Sequence, residues 1–149
     1  MTIHRRKFLH TALGVAATIL MVPLKVFAAR PKEAFAANKY DDVMNTLYNS
    51  TTTDSSHVSI KAPDIAENGA VVPITVKTDL ANAESVSIIV PNNPNPLAAS
   101  FELTPSSGGL VSTRIKMAKT SDVHAVVKAG GKLYSASKEV KVTIGGCGG

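Results

Sequence analysis

Tryptophan is absent from this chain of 149 residues, and cysteine occurs once. A single thiol excludes an internal disulfide framework and any metal site built from several cysteines. Aromatic residues make up only 5%, which leaves little material for a surface that stacks bases or sugars. Acid is missing altogether from residues 1–28, where Arg5, Arg6, Lys7 and Lys25 lie. The formal net charge of +5 is concentrated there: with those four bases set aside, twelve Lys and Arg face eleven Asp and Glu. The basic balance of the whole chain is therefore no argument for nucleic-acid binding. The length fits one domain of ordinary size.

Residues 1–28 have the three-part layout of a cleaved export signal: a basic start, an apolar stretch from Thr11 to Leu24, and Val26-Phe27-Ala28 before a cut after Ala28. The apolar stretch carries Gly14 and Pro23 and is too short to cross roughly 30 Å of hydrocarbon at about 1.5 Å per residue. No later stretch approaches that length, so a soluble mature protein is expected. Arg5-Arg6-Lys7-Phe8-Leu9 resembles the twin-arginine signal, an address read by a receptor. An ordinary secretory signal with two arginines is the alternative. The twin-arginine route implies periplasmic localisation and folded cargo. With no cofactor motif in the chain, a co-exported partner subunit is the economical reason for that route.

Beyond the cut, Tyr40, Val43, Met44, Leu47 and Tyr48 form a helical stripe within residues 29–56, and the polar run 50–56 reads as a linker. From 57 to 144 the pattern is that of strands. The runs 57–61, 71–78, 85–90, 100–104, 110–117, 123–127 and 132–144 are rich in β-branched or alternating residues and separated by turn clusters. In 110–117, Val111, Thr113, Ile115 and Met117 share one face and Ser112, Arg114 and Lys116 the other. Gly130-Gly131 marks a turn. About seven strands in this span predict an all-β, immunoglobulin-like antiparallel sandwich. Pro91-Asn92-Asn93-Pro94-Asn95-Pro96 reads as a rigid loop, either a connection between sheets or a shaped contact surface for a partner.

Catalytic constellations are lacking. His57 and His124 have no carboxylate at a telling spacing, and His124 falls on the polar face of its strand, which predicts a solvated residue. No nucleophile elbow, phosphate loop or metal-ligand cluster occurs, so no cofactor and no metal are expected. Arg114, Lys116 and Lys119 form a modest basic patch, ordinarily a solvated strand face, alternatively a contact for an anion or an acidic partner.

The last five residues stand apart. Gly145-Gly146-Cys147-Gly148-Gly149 sets the one cysteine between two glycine pairs. Such a tail has no local structure to form. Three extended residues beyond Ile144 carry the sulfur roughly 10 Å off the domain. Neighbours without side chains admit it to clefts that exclude bulkier residues. Ordering the tail costs on the order of 1 kcal/mol per residue, so each docking is expected to be transient. No base lies nearer in sequence than Lys141, and the carboxylate of Gly149 disfavours a thiolate. That is a poor setting for a self-activated nucleophile and a suitable one for an attachment point activated inside another protein's active site. A structural or adhesive sandwich tethered as a dimer through Cys147, and a thiol enzyme, are the competing readings.

At these residues the sequence resembles the SoxY family of sulfur carriers in periplasmic thiosulfate oxidation. The terminal Gly-Gly-Cys-Gly-Gly is the most specific part. Also similar are Ala62-Pro63-Asp64-Ile65-Ala66-Glu67-Asn68-Gly69-Ala70-Val71-Val72-Pro73, Asn93-Pro94-Asn95-Pro96-Leu97-Ala98-Ala99-Ser100-Phe101 and Ser112-Thr113-Arg114-Ile115-Lys116-Met117. The resemblance implies a carrier rather than an enzyme, with covalent attachment at Cys147 and a heterodimer with SoxZ. It further implies conjugation to thiosulfate by the haem enzyme SoxXA, sulfate release by SoxB and, where present, oxidation by the sulfane dehydrogenase SoxCD.

Overall fold

The computed structural model describes residues 30–143. Among them run α1 (Lys32–Ala36), α2 (Tyr40–Leu47), β1 (Thr53–Asp54), β2 (Val58–Lys61), β3 (Ile65–Ala66), β4 (Val72–Thr78), β5 (Ala83–Ile89), β6 (Leu97–Glu102), a 3-10 turn (Pro105–Ser107), β7 (Leu110–Ile115), β8 (Ser121–Ala129) and β9 (Lys132–Val142). The larger sheet has the order β1-β9-β8-β5-β6, with β3 also on β9, and the smaller has the order β2-β4-β7. The longer strands number seven, as the alternation predicts, and all pair antiparallel. The two-residue strands β1 and β3 pair parallel to β9, beside Tyr134–Ser135 and Lys141–Val142 respectively. The stretch expected as a polar linker therefore contributes a strand.

The core between the sheets follows the side-chain period of two. Val72, Ile74 and Val76 of β4 meet Val86, Ile88, Val123, Ala125, Val127 and Val140 of the larger sheet, with Val111, Ile115 and Met117 closing it. At about 25 cal/mol per Å² of apolar surface removed from water, this layer is the main stabilising term. Gly130 (φ 56°) and Gly131 (φ 74°) turn β8 into β9 with the two positive dihedrals that a tight hairpin requires.

A second apolar layer lies on the outer face of the larger sheet. Val43 and Met44 of α2 and Ala34 of α1 pack on Ile89, Leu97, Val126 and Leu133. The helical stripe thus buries against its own domain. Asp41 and Asp42 sit in the first turn of α2, where the helix dipole favours acid. Tyr48, just past the helix, places its hydroxyl 2.7 Å from Ser87 Oγ, which is 3.1 Å from Ser100 Oγ, so the helix end is tied to β5 and β6.

Two expectations are corrected by this layer and its loops. His124 is half-buried, its ring centroid 5.2 Å from that of Tyr40, and burial holds its pKa below the ordinary histidine value. It faces the side of the sheet that the helices cover. The proline–asparagine loop joins β5 to β6, neighbours in one sheet, and does not cross between sheets.

Candidate functional site

The one chemically singular residue, Cys147, and its neighbours Gly145, Gly146, Gly148 and Gly149 lie outside the described residues, as do Arg5 and Arg6. What the fold shows is where the tail is rooted. β9 runs antiparallel to β8 until Val140 pairs with Ser121, then continues beyond it. From there the chain is held on both edges. On one side, Lys141 N–H donates to Asp64 O (3.0 Å) and Thr143 N–H to Ala66 O (3.2 Å). On the other, Val142 N–H donates to Thr120 Oγ1 (3.0 Å). Lys138 Nζ fixes the segment that leads into β3, with Ala62 O at 2.7 Å and Asp64 Oδ1 at 3.0 Å. The last described residues, through Thr143, are therefore bound at the end of β9.

Gly69 is part of that anchorage. Its carbonyl accepts from Met117 N–H (2.7 Å). A Cβ on it would stand 2.3 Å from Met117 O and 2.9 Å from Val142 Cγ1, so only glycine lets the loop lie this close to β7 and β9. In sequence, Gly69 looks like any turn glycine.

The asparagines of the loop after β5 form the next layer out. Asn93 Nδ2 donates to Lys116 O (2.8 Å) and its Oδ1 accepts from Ala118 N–H (2.9 Å). Asn92 Nδ2 donates to Thr120 O (2.9 Å). This loop thus fixes the β7–β8 connection, which in turn supplies the Thr120 hydroxyl to the root of the tail. Sequence reasoning reads these asparagines as turn formers; paired Asn beside fixed prolines was the available signal. Asn93→Ala removes two hydrogen bonds at once. It is expected to lower unfolding free energy by about 1–2 kcal/mol in denaturant titration, since each such bond contributes roughly 1 kcal/mol.

Between these loops lies an open groove of about 410 Å³, lined by Gly69, Asn93, Pro94, Lys116, Met117 and others. Arg114, Lys116 and Lys119 are all exposed at this end of the sandwich. The two histidines do not come together: His57 Nδ1 lies 2.8 Å from Asp79 Oδ1 at the start of β2, and His124 lies under α2. Among the described residues no three of His, Cys, Asp and Glu gather as metal ligands, and no helix is long and apolar enough to cross a membrane.

Comparison with known proteins gives a family. The model of the family described as "Sulfur oxidation protein SoxY" matches residues 44–147, a span that ends on the single cysteine. A solved structure, the sulfur carrier protein SoxY from Chlorobium limicola f thiosulfatophilum, is 48% identical, covers 71% of this chain and 97% of its own, and superposes with a TM-score of 0.64. An engineered protein shares 13% identity over 58% of this chain and 20% of its own at a TM-score of 0.40. No curated protein matches. From the sandwich, the anchored β9 and a family match that extends to Cys147, we conclude that this chain belongs to the SoxY family of sulfur oxidation proteins.

Proposed function

We propose that the chain is a covalent carrier in thiosulfate oxidation, holding sulfur intermediates on Cys147 and presenting them to successive enzymes. The observation that carries this reading is the family match through residue 147, where the only thiol stands among four glycines. Conjugation joins the cysteine sulfur to the sulfane sulfur of thiosulfate. The thiol gives up its proton, two electrons pass to the haem groups of SoxXA, and a cysteine S-thiosulfonate remains. Water then cleaves the sulfur–sulfonate bond in SoxB, releasing sulfate and a proton and leaving a persulfide. SoxCD, where present, oxidises that sulfur further. The chain itself supplies the attachment atom and the reach.

The remaining assignments follow the same reading. Residues 1–28 serve as a twin-arginine signal through Arg5 and Arg6, 29–56 as the helical segment and linker whose strand β1 joins the larger sheet, 57–144 as the rest of the sandwich, and 145–149 as the arm. SoxZ is the partner with which the chain travels to the periplasm. Neither nucleic acid nor membrane is a partner.

The experiment is the intact mass of the mature protein, purified with its partner after exposure to thiosulfate and the conjugating enzyme. A sulfur or sulfur-oxyanion adduct that reductant removes is expected. Free thiol and a disulfide-linked dimer alone would overturn the reading in favour of a tethered structural module.

A further inference from the structure

The strands of the smaller sheet contain no acid. Their outer face carries Lys61, Lys77 and Arg114, all exposed, with Lys116 just beyond β7. The register fixes their arrangement. Lys61 pairs with Thr75 across β2–β4, Lys77 stands between Ser59 and Leu110, and Arg114 pairs with Pro73. With about 3.3 Å per residue along a strand and about 4.8 Å between strands, their Cα atoms lie roughly 8–14 Å apart. The screening length at physiological salt is roughly 8 Å, so their fields overlap near the surface.

Among the described residues no ion pair engages any of these four bases. The acid at the end of β4, Asp79, is taken by His57 at 2.8 Å. Other acids sit off these strands: Glu33, Asp41 and Asp42 on the helices, Asp54 on β1, Asp64 (3.0 Å from Lys138 Nζ) and Glu67 flanking β3, Glu84 on β5, Glu102 on β6, Asp122 on β8 and Glu139 on β9. Between the bases are the Thr75–Ser112 hydroxyl pair (3.0 Å) and exposed Pro73, with Leu110 (53% exposed) and Val71 (51%) at the margins. No aromatic residue stands on these strands for bases to stack on. Mixed hydroxyl, aliphatic and cationic groups suit a protein surface. The face also borders the root of the tail, because Met117 after β7 bonds Gly69, which abuts Val142.

Resting on the carrier reading above, we propose that the outer face of β2–β4–β7 is the docking surface through which the chain meets the enzyme that loads Cys147, and that it fits an acidic surface flanking that enzyme's active-site opening. A carrier that visits several enzymes in turn gains from fast encounter more than from tight binding. Complementary charge supplies this, raising association rates by about 10- to 1,000-fold with a steep dependence on salt.

The test is enzymatic conjugation of thiosulfate to the intact mature complex, measured as kcat/KM at increasing salt. The variants are Lys61→Glu/Lys77→Glu/Arg114→Glu and a charge-matched control, Lys32→Glu/Lys39→Glu/Lys132→Glu, on exposed positions of other elements. The face variant is expected to lose about tenfold or more in kcat/KM at low salt, chiefly through KM, with the gap narrowing as salt screens it. The control should stay within about twofold of the parent, since it leaves the face intact. Titration of the thiol with a small reagent should be the same in all three.

Should the triple reversal fail to fold by circular dichroism, the glutamine triple at the same positions is expected to show a smaller loss of the same kind. A face variant with the parent's kcat/KM and salt profile overturns the docking role. So does a control that falls equally, or a parent whose kcat/KM ignores salt. Binding to anionic lipid vesicles with conjugation unaffected overturns it in favour of a membrane surface. If the parent takes no adduct at all, the carrier reading itself fails; if it loads normally and only the variants disagree, the docking proposal alone fails.

Discussion

Cys147→Ser is expected to abolish the uptake of sulfur from thiosulfate completely, with no residual slow route. The chain has no second thiol to substitute, and a serine hydroxyl neither ionises at neutral pH nor forms the sulfur–sulfur bond that conjugation needs. The fold is expected to survive unchanged. All of the core residues named lie between Ala34 and Val142, and among the described residues the bonds that fix the end of β9 are made by Lys141, Val142 and Thr143. Loss of stability or of partner binding together with loss of loading would mean that the cysteine has a structural role as well. Labelled thiosulfate and a thermal melt, run on the same preparation, separate the two effects.

A second large effect is expected from Gly146→Val with Gly148→Val. Valine is branched at Cβ, fixes its own rotamer and narrows the backbone's range, so the doubly substituted tail is stiffer and wider on both sides of the sulfur. Its thiol should react with a small reagent at the parent's rate. Processing by the enzymes should slow by about tenfold or more, because the sulfur can no longer take its reactive position within a narrow cleft. Parent-like turnover with both valines in place would remove the argument that the glycines serve clearance. Equal slowing towards the small reagent would place the effect on the thiol itself.

The alternation of Val111, Thr113 and Ile115, or of Val123, Ala125 and Val127, marked strands of a two-sheet core because one face of each had to be apolar. The stripe from Tyr40 to Tyr48 marked a helix for the same reason at a different period. What periodicity did not reveal was that this helix covers the outer face of β5 and β8. Ile89 and Val126 are therefore buried where alternation alone predicts exposure, and His124 is half-covered by Tyr40. The apolar run Val86 to Val90, interrupted only by Ser87, was the trace of a strand buried on both sides.

The strands β1 and β3 each hold two residues and owe their existence to β9, so no local pattern announces them. β6 begins at Leu97 and not near Ser100, because Leu97-Ala98-Ala99 lacks β-branched residues yet pairs with the edge of β5.

For the functional site the division is similar. The tail is legible from composition alone, since one cysteine between glycine pairs is a chemical statement that needs no fold. Its anchorage is not. Gly69, Asn93 and Thr120 lie 22 to 73 residues before Val142 in sequence and meet its neighbourhood only once β9 is paired. The basic face is legible only in part. Arg114 and Lys116 are close in sequence, but Lys61 and Lys77 join them through the register of β2 and β4.

The central claim is that sulfur is carried on Cys147. Its most direct test is tryptic mapping of the protein after exposure to thiosulfate and the conjugating enzyme, without reductant. Cleavage after Lys141 isolates Val142 to Gly149, which contains the only cysteine. The account predicts that this peptide bears a thiosulfonate or persulfide adduct that reductant removes, with every other peptide unmodified. An unmodified or merely disulfide-linked peptide, in a preparation where thiosulfate is being consumed, would contradict it.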